Sequence, residues 1–324
     1  LDSEGAGELD QQRLIDIFGD DSILKSSKSA VVGKAEFCAY ILSGKAGDPA
    51  ACIEALTDVL EATEDAPDGG NDAGPADSVD MIIAECFQQS SPELDLSAAP
   101  AGSDCDAGPL VALGISLQGQ VPPTVWVLSH ITSLNLAGNG LTSVAGLGKL
   151  AGLVTLNCSQ NELVEMPEMD SLTALEELDI SENKIKTLPP SIGLCKSLVT
   201  INAFKNQFAQ LPEELGNCSC LEEMNFFNNK LIKIPATFAK LASLKNLNLG
   251  SNKIKTLPKT DVWTSLEELR VGSNNLVMLP TFANMTALTF LKLDQNKALG
   301  ELPEFPPNVE NIEERAFFMP RIDN

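Results

Sequence analysis

A repeated alternation of apolar and polar residues runs through the C-terminal part of the chain. From about residue 131, apolar side chains recur with the spacing apolar-x-x-apolar-x-apolar, and an asparagine follows each group after three residues. The phrase NKIKTLP occurs twice, at 183–189 and 252–258. Such short alternating runs predict short strands whose apolar positions face a core. The asparagines that mark successive units, 22 or 23 residues apart, are Asn139, Asn161, Asn183, Asn206, Asn229, Asn252, Asn274 and Asn296.

One unit shows what this pattern means physically. In the segment LEELDI, Leu178 and Ile180 alternate with Asp179 on a strand, so the two apolar side chains point inward. Glu177, Asp179 and Ser181 are then expected on the outer side. Asn183 turns inward at the bend, where its amide can bond backbone groups of its own and adjacent coils. We therefore expect the eight asparagines to form a structural ladder.

Each unit returns through an apolar residue followed by proline. Because proline lacks an N–H and fixes φ, these pairs predict extended or 3₁₀ segments rather than a second strand. The prolines are Pro167, Pro189, Pro212, Pro235, Pro258, Pro280 and Pro303. The full spacing, L-x-x-L-x-L-x-x-N-x-L, is typical of leucine-rich repeats. The predicted fold class is an α/β solenoid: a leucine-rich repeat horseshoe of about ten repeats of 21–23 residues, with a parallel concave sheet.

The ends of the repeat array deviate from the pattern. An atypical first repeat begins at Leu110 and has Gln118 in the asparagine position, and Val309 and Ile312 begin a degenerate last repeat. Deviation is expected at terminal repeats because they face solvent or a cap. We assign residues 109–324 to the leucine-rich repeat domain.

Residues 1–108 have a different pattern. Residues 48–63 and 78–89 place apolar side chains on one helical face, which predicts two helices. Residues 63–76 and 91–108 are rich in Pro, Gly, Ala and acidic residues and predict flexible linkers. This region is therefore predicted to be an acidic helical region with linkers. Its helices either pack on one another or cap the repeat stack.

The net charge of −23 is concentrated in the N-terminal region. Residues 1–108 carry 23 Asp and Glu against 5 Lys and Arg, whereas the rest of the chain carries 22 against 17. No Lys or Arg lies between Lys45 and Lys149. Nucleic acid and anionic membranes attract clustered positive charge, so the charge disfavours both as partners. A basic partner is compatible with it, as is a simple solvating role.

Cysteine usage bears on the compartment. The eight cysteines show no paired clusters on either side of the repeats, and Cys158 occupies an inward apolar position. Reduced thiols in the cytoplasm are the expectation, with an organelle after removal of a leader as the alternative. No apolar run reaches the roughly 18 residues that cross a bilayer, so no membrane insertion is expected.

Catalytic and metal-binding patterns are missing from the sequence. The single histidine, His130, has no Ser, Cys or acid at catalytic spacing, and Cys218 and Cys220 have no second pair to complete a metal site. The paired glutamates at 176–177, 222–223 and 267–268 recur with the repeat period, which indicates surface positions. We predict a protein that is not an enzyme and that uses neither cofactor nor metal.

The outward positions of the strands predict a protein-binding surface. Phe204 and Phe227 occupy the same position in adjacent repeats, and Phe290 lies on the same face. Apolar residues clustered within a polar rim are typical of an interface. An alternative is that the two phenylalanines stack on each other or are covered by the N-terminal region. The predicted partner-binding residues are Phe204, Phe227, Asn225, Asn248, Arg270, Phe290 and Lys292.

Residues 131–303 resemble intracellular leucine-rich repeat proteins of the Ras-group scaffold type, and more loosely the leucine-rich-repeat regulator of protein phosphatase one. The resemblance rests on the asparagines and x-Pro pairs in register. It implies a non-catalytic scaffold or adaptor in signalling, whose partner is a phosphatase, a small GTPase or subunits of a complex. The alternatives are a permanent structural subunit of a large complex and a secreted or receptor ectodomain.

Overall fold

The computed structural model describes residues 9–10, 31–32, 79, 82–83, 86, 89–98, 117, 119–259, 262–300, 303, 309 and 311–313. The chain divides into two compact units. The first comprises residues 1–94 and 122–130, and the second comprises residues 95–121 and 131–324. The repeats predicted from residue 131 onward therefore belong to one unit.

The first unit combines short strands with helical turns. Strands β1 (Leu9–Asp10) and β2 (Val31–Val32) pair antiparallel. Four of the five described residues of the predicted helix at 78–89 are helical, and the fifth, Gln89, lies in a turn. Val79, Ile83 and Cys86 are buried. The 3₁₀ helix η1 (Pro123–Val127) buries Val125 and Trp126. The other predicted helix, at 48–63, lies outside the described residues.

The second unit contains a parallel sheet with one strand from each repeat. Strand β3 (Glu93–Asp95) precedes the strands of the repeats along the chain. Nine further strands follow within the described residues, and each of them pairs in parallel with the next. The sheet confirms the predicted solenoid. These nine strands are β4 (Ser133–Asn135), β5 (Thr155–Asn157), β6 (Glu177–Asp179), β7 (Thr200–Asn202), β8 (Glu223–Asn225), β9 (Asn246–Asn248), β10 (Glu268–Arg270), β11 (Phe290–Lys292) and β12 (Asn311–Glu313).

The return segments behave as the x-Pro pairs predict. Three 3₁₀ helices begin directly after Pro189, Pro212 and Pro235, whose extended backbone ends the preceding segment. Proline suits this position because its fixed φ is compatible with both conformations and no backbone N–H is lost from a ladder. The return helices are η2 (Leu147–Lys149), η3 (Pro190–Leu194), η4 (Glu213–Asn217) and η5 (Ala236–Lys240).

Neighbouring coils fit together by complementary side-chain volumes. Ala203 and Phe226 occupy the same inward position of adjacent coils, and both are fully buried. The Phe226 ring meets the edge of Phe208, with the ring centroids 5.6 Å apart. A small residue beside a large one preserves the dense packing that a protein interior requires.

The inward asparagines form the predicted ladder, and all eight are buried. Asn183 is representative. Its Nδ2 group donates to the carbonyls of Cys158 (2.9 Å), Ile180 (3.1 Å) and Ser181 (3.0 Å), and its Oδ1 accepts from the N–H of Leu163 (3.0 Å). Two of these four backbone partners belong to the preceding coil, so each asparagine holds two coils together.

The residue before each ladder asparagine adopts the left-handed conformation. Glu182 has a φ of 53°, and the equivalent residues from Gln160 to Gln295 have φ between 53° and 57°. Left-handed backbone is unfavourable for residues other than glycine, with a cost of roughly 1–2 kcal/mol. The recurring bond network of the following asparagine offsets this cost and sets the inward turn of every coil.

The start of the array differs from the prediction. Residues 91–108 were expected to be a linker preceding a repeat at Leu110. Instead, Leu96 N–H donates to the Asn135 carbonyl (2.8 Å), Ala98 N–H donates to that of Ala137 (2.7 Å), and Asn139 Nδ2 donates to the Leu96 carbonyl (2.7 Å). Residues 96–98 thus adjoin the first regular coil, since Leu136 makes the matching bond to Asn157. Leu96 is apolar and buried in the strand part of this coil. Leu117, within the predicted Leu110 repeat, donates its N–H to Asn139 Oδ1 (3.4 Å), as Leu141 does to Asn161, so this part of the predicted repeat also contacts the ladder.

The last strand agrees with the predicted degenerate repeat. β12 pairs in parallel with β11, and Ile312 lies in register with Leu291. Ile312 was one of the two residues assigned to that repeat from its apolar character. Gln118, the residue predicted for the first asparagine position, lies outside the described residues.

Candidate functional site

The outward side of the parallel sheet carries the predicted binding residues. We call this surface the concave face and define it by three columns of side chains. The first column contains Ser133, Thr155, Glu177, Thr200, Glu223, Asn246, Glu268 and Phe290. The middle column contains Asn135, Asn157, Asp179, Asn202, Asn225, Asn248, Arg270 and Lys292. The third column contains Ala137, Ser159, Ser181, Phe204, Phe227, Gly250, Gly272 and Asp294.

The middle column is held in one orientation by the backbone. The Oδ1 atom of Asn225 accepts from the N–H of Phe227 (3.1 Å), and that of Asn248 accepts from the N–H of Gly250 (3.2 Å). The same bond recurs at Asn135, Asn157, Asp179 and Asn202. Because the carbonyl oxygen is used in this way, the amide groups of Asn225 and Asn248 are directed away from the backbone as N–H donors.

Asn248 is the last residue of the middle column that accepts this backbone hydrogen bond. Arg270 and Lys292 follow in the middle column, and neither has a side-chain acceptor. The two residues therefore introduce positive charge at the C-terminal end of the concave face, as the sequence predicts. Arg270 is not a free charge, since its Nη2 lies 2.7 Å from Glu268 Oε2 and its guanidinium carbon lies 5.1 Å from the centre of the Phe290 ring.

The third column is less uniform than the alternation predicts. Ala137, Ser159 and Ser181 occupy outward positions of the alternation, but their exposed fractions are only 4%, 9% and 7%. Their side chains are too short to rise above the neighbouring coils, and Ser181 Oγ is occupied by donating to Asp179 Oδ1 (2.6 Å). Only the longer side chains of this column therefore reach the surface.

Phe204 and Phe227 are those longer side chains, and both are half-buried. Their rings stack with centroids 5.8 Å apart and an interplanar angle of 22°. On its other side Phe227 lies over Gly250, where an added Cβ would come within 3.0 Å of the ring. The stack that the sequence offered as an alternative is therefore present, and the pair still keeps part of its surface in solvent.

A cavity of about 340 Å³ separates Phe227 from Phe290. Asn248, Arg270 and Lys292 also line it, so it brings together five of the seven predicted binding residues. The glycines Gly250 and Gly272 lie in the third column of the same cavity. The absence of side chains at two successive positions is what opens this space between the aromatic rings.

Asp294 is a component of this cavity that the sequence reasoning missed. Its carboxylate leans over Gly272, where a Cβ would lie 2.1 Å from Oδ1, and that oxygen is buried without a hydrogen-bond partner. A buried carboxylate oxygen without a donor is unfavourable. The signal available in the sequence was the pair of consecutive glycines, in a column where the two preceding coils carry phenylalanine.

A larger groove of about 550 Å³ runs along the centre of the concave face. It crosses β5 to β10 and includes Asn225, Asn248 and Arg270. Four acidic side chains and one basic side chain line it, namely Glu177, Asp179, Glu223, Glu268 and Arg270. Since Arg270 pairs with Glu268, the remaining carboxylates make the groove acidic.

The described cysteines are free thiols, and all except Cys220 are buried. Burial raises the pKa of the Cys158 thiol to about 12, and the nearby Asp179 carboxylate acts in the same direction. Burial likewise raises the pKa of Cys218 to about 12 and that of Cys195 to about 11. These thiols therefore remain protonated at neutral pH and behave as small apolar side chains.

Among the described residues, no three or more His, Cys, Asp or Glu side chains are grouped so that they could hold a metal ion. No helix in the described part of the chain has the length and apolar character required to cross a bilayer.

Comparison with known proteins supports the fold. A family model described as Leucine Rich Repeat matches residues 174–195. A leucine-rich repeat protein of Leptospira interrogans is similar to the chain, with 30% identity and a TM-score of 0.53 over 56% of this chain and 47% of that protein. The chain thus corresponds to about half the length of that protein. No curated protein matches the chain.

Two more distant structures share the architecture. The leucine-rich effector protein YopM from Yersinia pestis has a TM-score of 0.58 and 23% identity, over 80% of this chain and 64% of that one. The ectodomain of the Arabidopsis thaliana receptor kinase GASSHO1/SCHENGEN3, solved with Casparian strip integrity factor 2, has a TM-score of 0.50 and 24% identity over 59% and 26%. Together with the sheet and the asparagine ladder, these similarities identify the fold as a leucine-rich repeat solenoid.

Proposed function

We propose that this chain is a non-catalytic scaffold or adaptor that binds a protein partner on its concave face. The observation that carries the proposal is the stacked pair Phe204 and Phe227, half-exposed on a surface whose other residues, apart from Phe290, are polar or small. Rigid aromatic side chains within a polar rim are typical of binding hot spots. Leucine-rich repeat folds commonly mediate protein–protein interaction, which supports the same function.

The remaining predicted residues have compatible roles at this surface. Asn225 and Asn248 present amide donors whose direction is fixed by their backbone bonds. Phe290, Arg270 and Lys292 form the far wall of the cavity beyond Phe227. A partner that covers the phenylalanine stack would reach these groups without any rearrangement of the sheet.

The compartment and partner class are part of the same proposal. The buried free thiols at Cys158, Cys195 and Cys218 support a reducing compartment such as the cytoplasm. The partner classes that the resemblance implies, a phosphatase, a small GTPase or subunits of a complex, would all bind as folded proteins. Size-exclusion chromatography of the endogenous protein separates an adaptor, which also occurs free, from a permanent subunit, which elutes only in a large complex.

Affinity capture from the source cells tests the binding surface. The double variant Phe204→Ala/Phe227→Ala should lose at least nine tenths of the partner recovered by the unmodified protein, because it removes the central apolar contact. Ile232→Ala is the matched control, since Ile232 is a 54% exposed apolar residue outside the three columns. Circular dichroism verifies that both variants are folded.

The outcomes distinguish the possibilities clearly. Loss of a specific protein with the double variant and retention with Ile232→Ala supports the proposal. Equal recovery of every bound protein by the unmodified chain and the double variant would contradict it.

A further inference from the structure

The concave groove carries a charge pattern that specifies its partner more closely. Glu177 and Glu223 lie in the first column with two coil steps between them, and Asp179 lies beside Glu177 in the middle column. Glu177 and Glu223 are exposed, so a ligand can reach their carboxylates. The one basic residue that lines this groove, Arg270, is paired with Glu268.

The hydrogen bonds of these carboxylates leave acceptor capacity toward the groove. Glu223 accepts one bond from Asn246 Nδ2 (3.2 Å). Asp179, in contrast, is occupied by Ser181 and by Asn202 Nδ2 (3.0 Å). An ionised carboxylate accepts about four hydrogen bonds, so Glu177 and Glu223 are the positions where a cation gains most.

The aromatic part of the face also suits a cation. The molecule itself shows the geometry, because the Arg270 guanidinium lies over the Phe290 ring at 5.1 Å. Phe204 and Phe227 stack on one another and have no such cation among the described residues. Aromatic faces attract Arg and Lys within about 6 Å of the ring centre.

The columns set the width of the site. Glu223 and Asn225 lie on β8, and Phe227 lies two residues beyond its end. The three residues occupy successive outward positions, and neighbouring positions of this kind are roughly 6.6 Å apart along a strand. A bound peptide segment that lies over the middle column thus has carboxylates on one side and aromatic rings on the other. The directed amide of Asn225 lies between them and can donate to a main-chain carbonyl.

We infer that the concave groove binds an extended, basic segment of a protein partner, with Arg or Lys side chains on Glu177 and Glu223 and its other side against Phe204 and Phe227. This inference rests on the proposed function and adds the chemistry of the partner. Charge complementarity selects the occupant, because an acidic segment would face unpaired carboxylates in the groove and a chain with a net charge of −23.

Fluorescence anisotropy with defined peptides tests the inference on the full chain. The probe is a fluorescein-labelled dodecapeptide of six Arg-Leu repeats, and a Glu-Leu peptide of equal length is the comparison. We expect the Arg-Leu peptide to bind and the Glu-Leu peptide to bind at least tenfold more weakly. Binding of the Arg-Leu peptide should also weaken as NaCl rises from 50 to 300 mM.

Matched charge variants separate the groove from the general acidity of the chain. Glu177→Gln/Glu223→Gln should raise the Kd of the Arg-Leu peptide at least tenfold. Glu165→Gln/Asp170→Asn removes the same charge from exposed positions outside the columns and should change the Kd less than twofold. Phe204→Ala/Phe227→Ala should again raise the Kd about tenfold.

Two results would overturn the inference. One is an equal effect of the two charge variants, which would show diffuse attraction to the acidic chain. The other is equal or tighter binding of the Glu-Leu peptide. The cellular partner distinguishes this failure from that of the proposed function: a partner lost with Phe204→Ala/Phe227→Ala but kept by Glu177→Gln/Glu223→Gln would leave the concave interface intact and exclude a basic segment.

Discussion

Two consecutive phenylalanines, Phe226 and Phe227, allow the interior of the coils to be compared with the concave face. Phe226 is fully buried and packs edge-on against Phe208, whereas Phe227 is half-buried on the sheet surface and stacks on Phe204. Residue type is the same, and a step of one position along the strand reverses the side on which the ring lies. In this fold, position within the coil decides whether a residue stabilises the structure or remains available to a partner.

Two asparagines of a single coil repeat this contrast. Asn252 is buried and bonds four backbone groups, among them the carbonyl of Phe226 in the preceding coil. Asn248 lies on the concave face, and its Oδ1 accepts one bond, from Gly250. The inner asparagine recurs in eight coils, whereas the outer position changes to Asp179, Arg270 and Lys292. The buried position thus keeps the same residue in all eight coils because it holds the fold together, whereas the outward position varies from coil to coil.

Among the substitutions considered, Phe226→Ala in the interior of the coils should lower the free energy of unfolding the most. Removing a fully buried ring leaves a cavity beside Ala203, which is already small, so the free energy of unfolding should fall by about 3–5 kcal/mol. Phe227→Ala should lower it by less than about 1 kcal/mol, because this ring is half-exposed. Urea unfolding followed by circular dichroism compares the two. Similar losses for both variants would contradict the assigned sides of the strand.

Asn252→Ala should have the next largest effect. It removes one bond from each of three backbone carbonyls, which keep a second donor, and it leaves the buried Leu231 N–H without a partner, which we expect to cost about 3 kcal/mol in total. Asn248→Ala, four residues earlier, loses one partly buried bond and should cost about 1 kcal/mol or less. The same unfolding assay measures both. A larger loss at Asn248 than at Asn252 would show that the ladder does not hold the coils together.

Raising the pH should lower the free energy of unfolding because the buried thiols ionise more easily in the unfolded chain, and this effect is smaller than those of Phe226→Ala and Asn252→Ala. The pKa of Cys158 is raised to about 12 in the folded protein, whereas a thiol in the unfolded chain ionises near 8.5. Its stabilising contribution is complete below the unfolded pKa and is lost as the pH rises from there toward 12. We expect the free energy of unfolding to fall by about 2 kcal/mol at pH 10 from this thiol.

Cys158→Ala provides the control for the alkaline measurement. It should make the decline between pH 8 and pH 10 shallower, since the residue then has no ionisable group. An unchanged decline would indicate that Cys158 does not contribute. Cys220 serves as the exposed comparison, because it should react with an alkylating reagent at neutral pH while Cys158 is protected.

The regular part of the fold was predictable from the sequence because its determinants repeat. The alternation of Leu178 and Ile180, the inward Asn183 and the proline returns each depend on residues within one coil and its neighbours. The start of the repeat array was not predictable. Residues 96–98 bond to Asn135 and Ala137, and the sequence separation between these segments is longer than the period of 22 or 23 residues that relates the other coils. The spacing therefore predicted the start of the preceding coil at Leu110, whereas only the later part of that segment, at Leu117, contacts the ladder.

The candidate surface was predictable in position and less so in chemistry. Strand alternation correctly placed Phe227 and Arg270 on the sheet face. It did not reveal that Ser181 is covered, nor that Asp294 leans over Gly272. Those features depend on side-chain length and on the gap left by a neighbouring coil, which no single repeat contains. The pairing of Arg270 with Glu268 depends on the rotamers of two side chains, which residue spacing does not determine, and it leaves the groove with a net negative charge.

Photo-crosslinking from the concave face tests the central claim most directly. Benzoylphenylalanine replaces Phe227 in one protein and exposed Ile232 in a second, and both are irradiated in extracts of the source cells. The account predicts a discrete crosslinked protein from position 227, competed away by excess unmodified chain, and none from position 232. Crosslinks from position 232 alone, or the same products from both positions, would contradict a binding surface on the concave face.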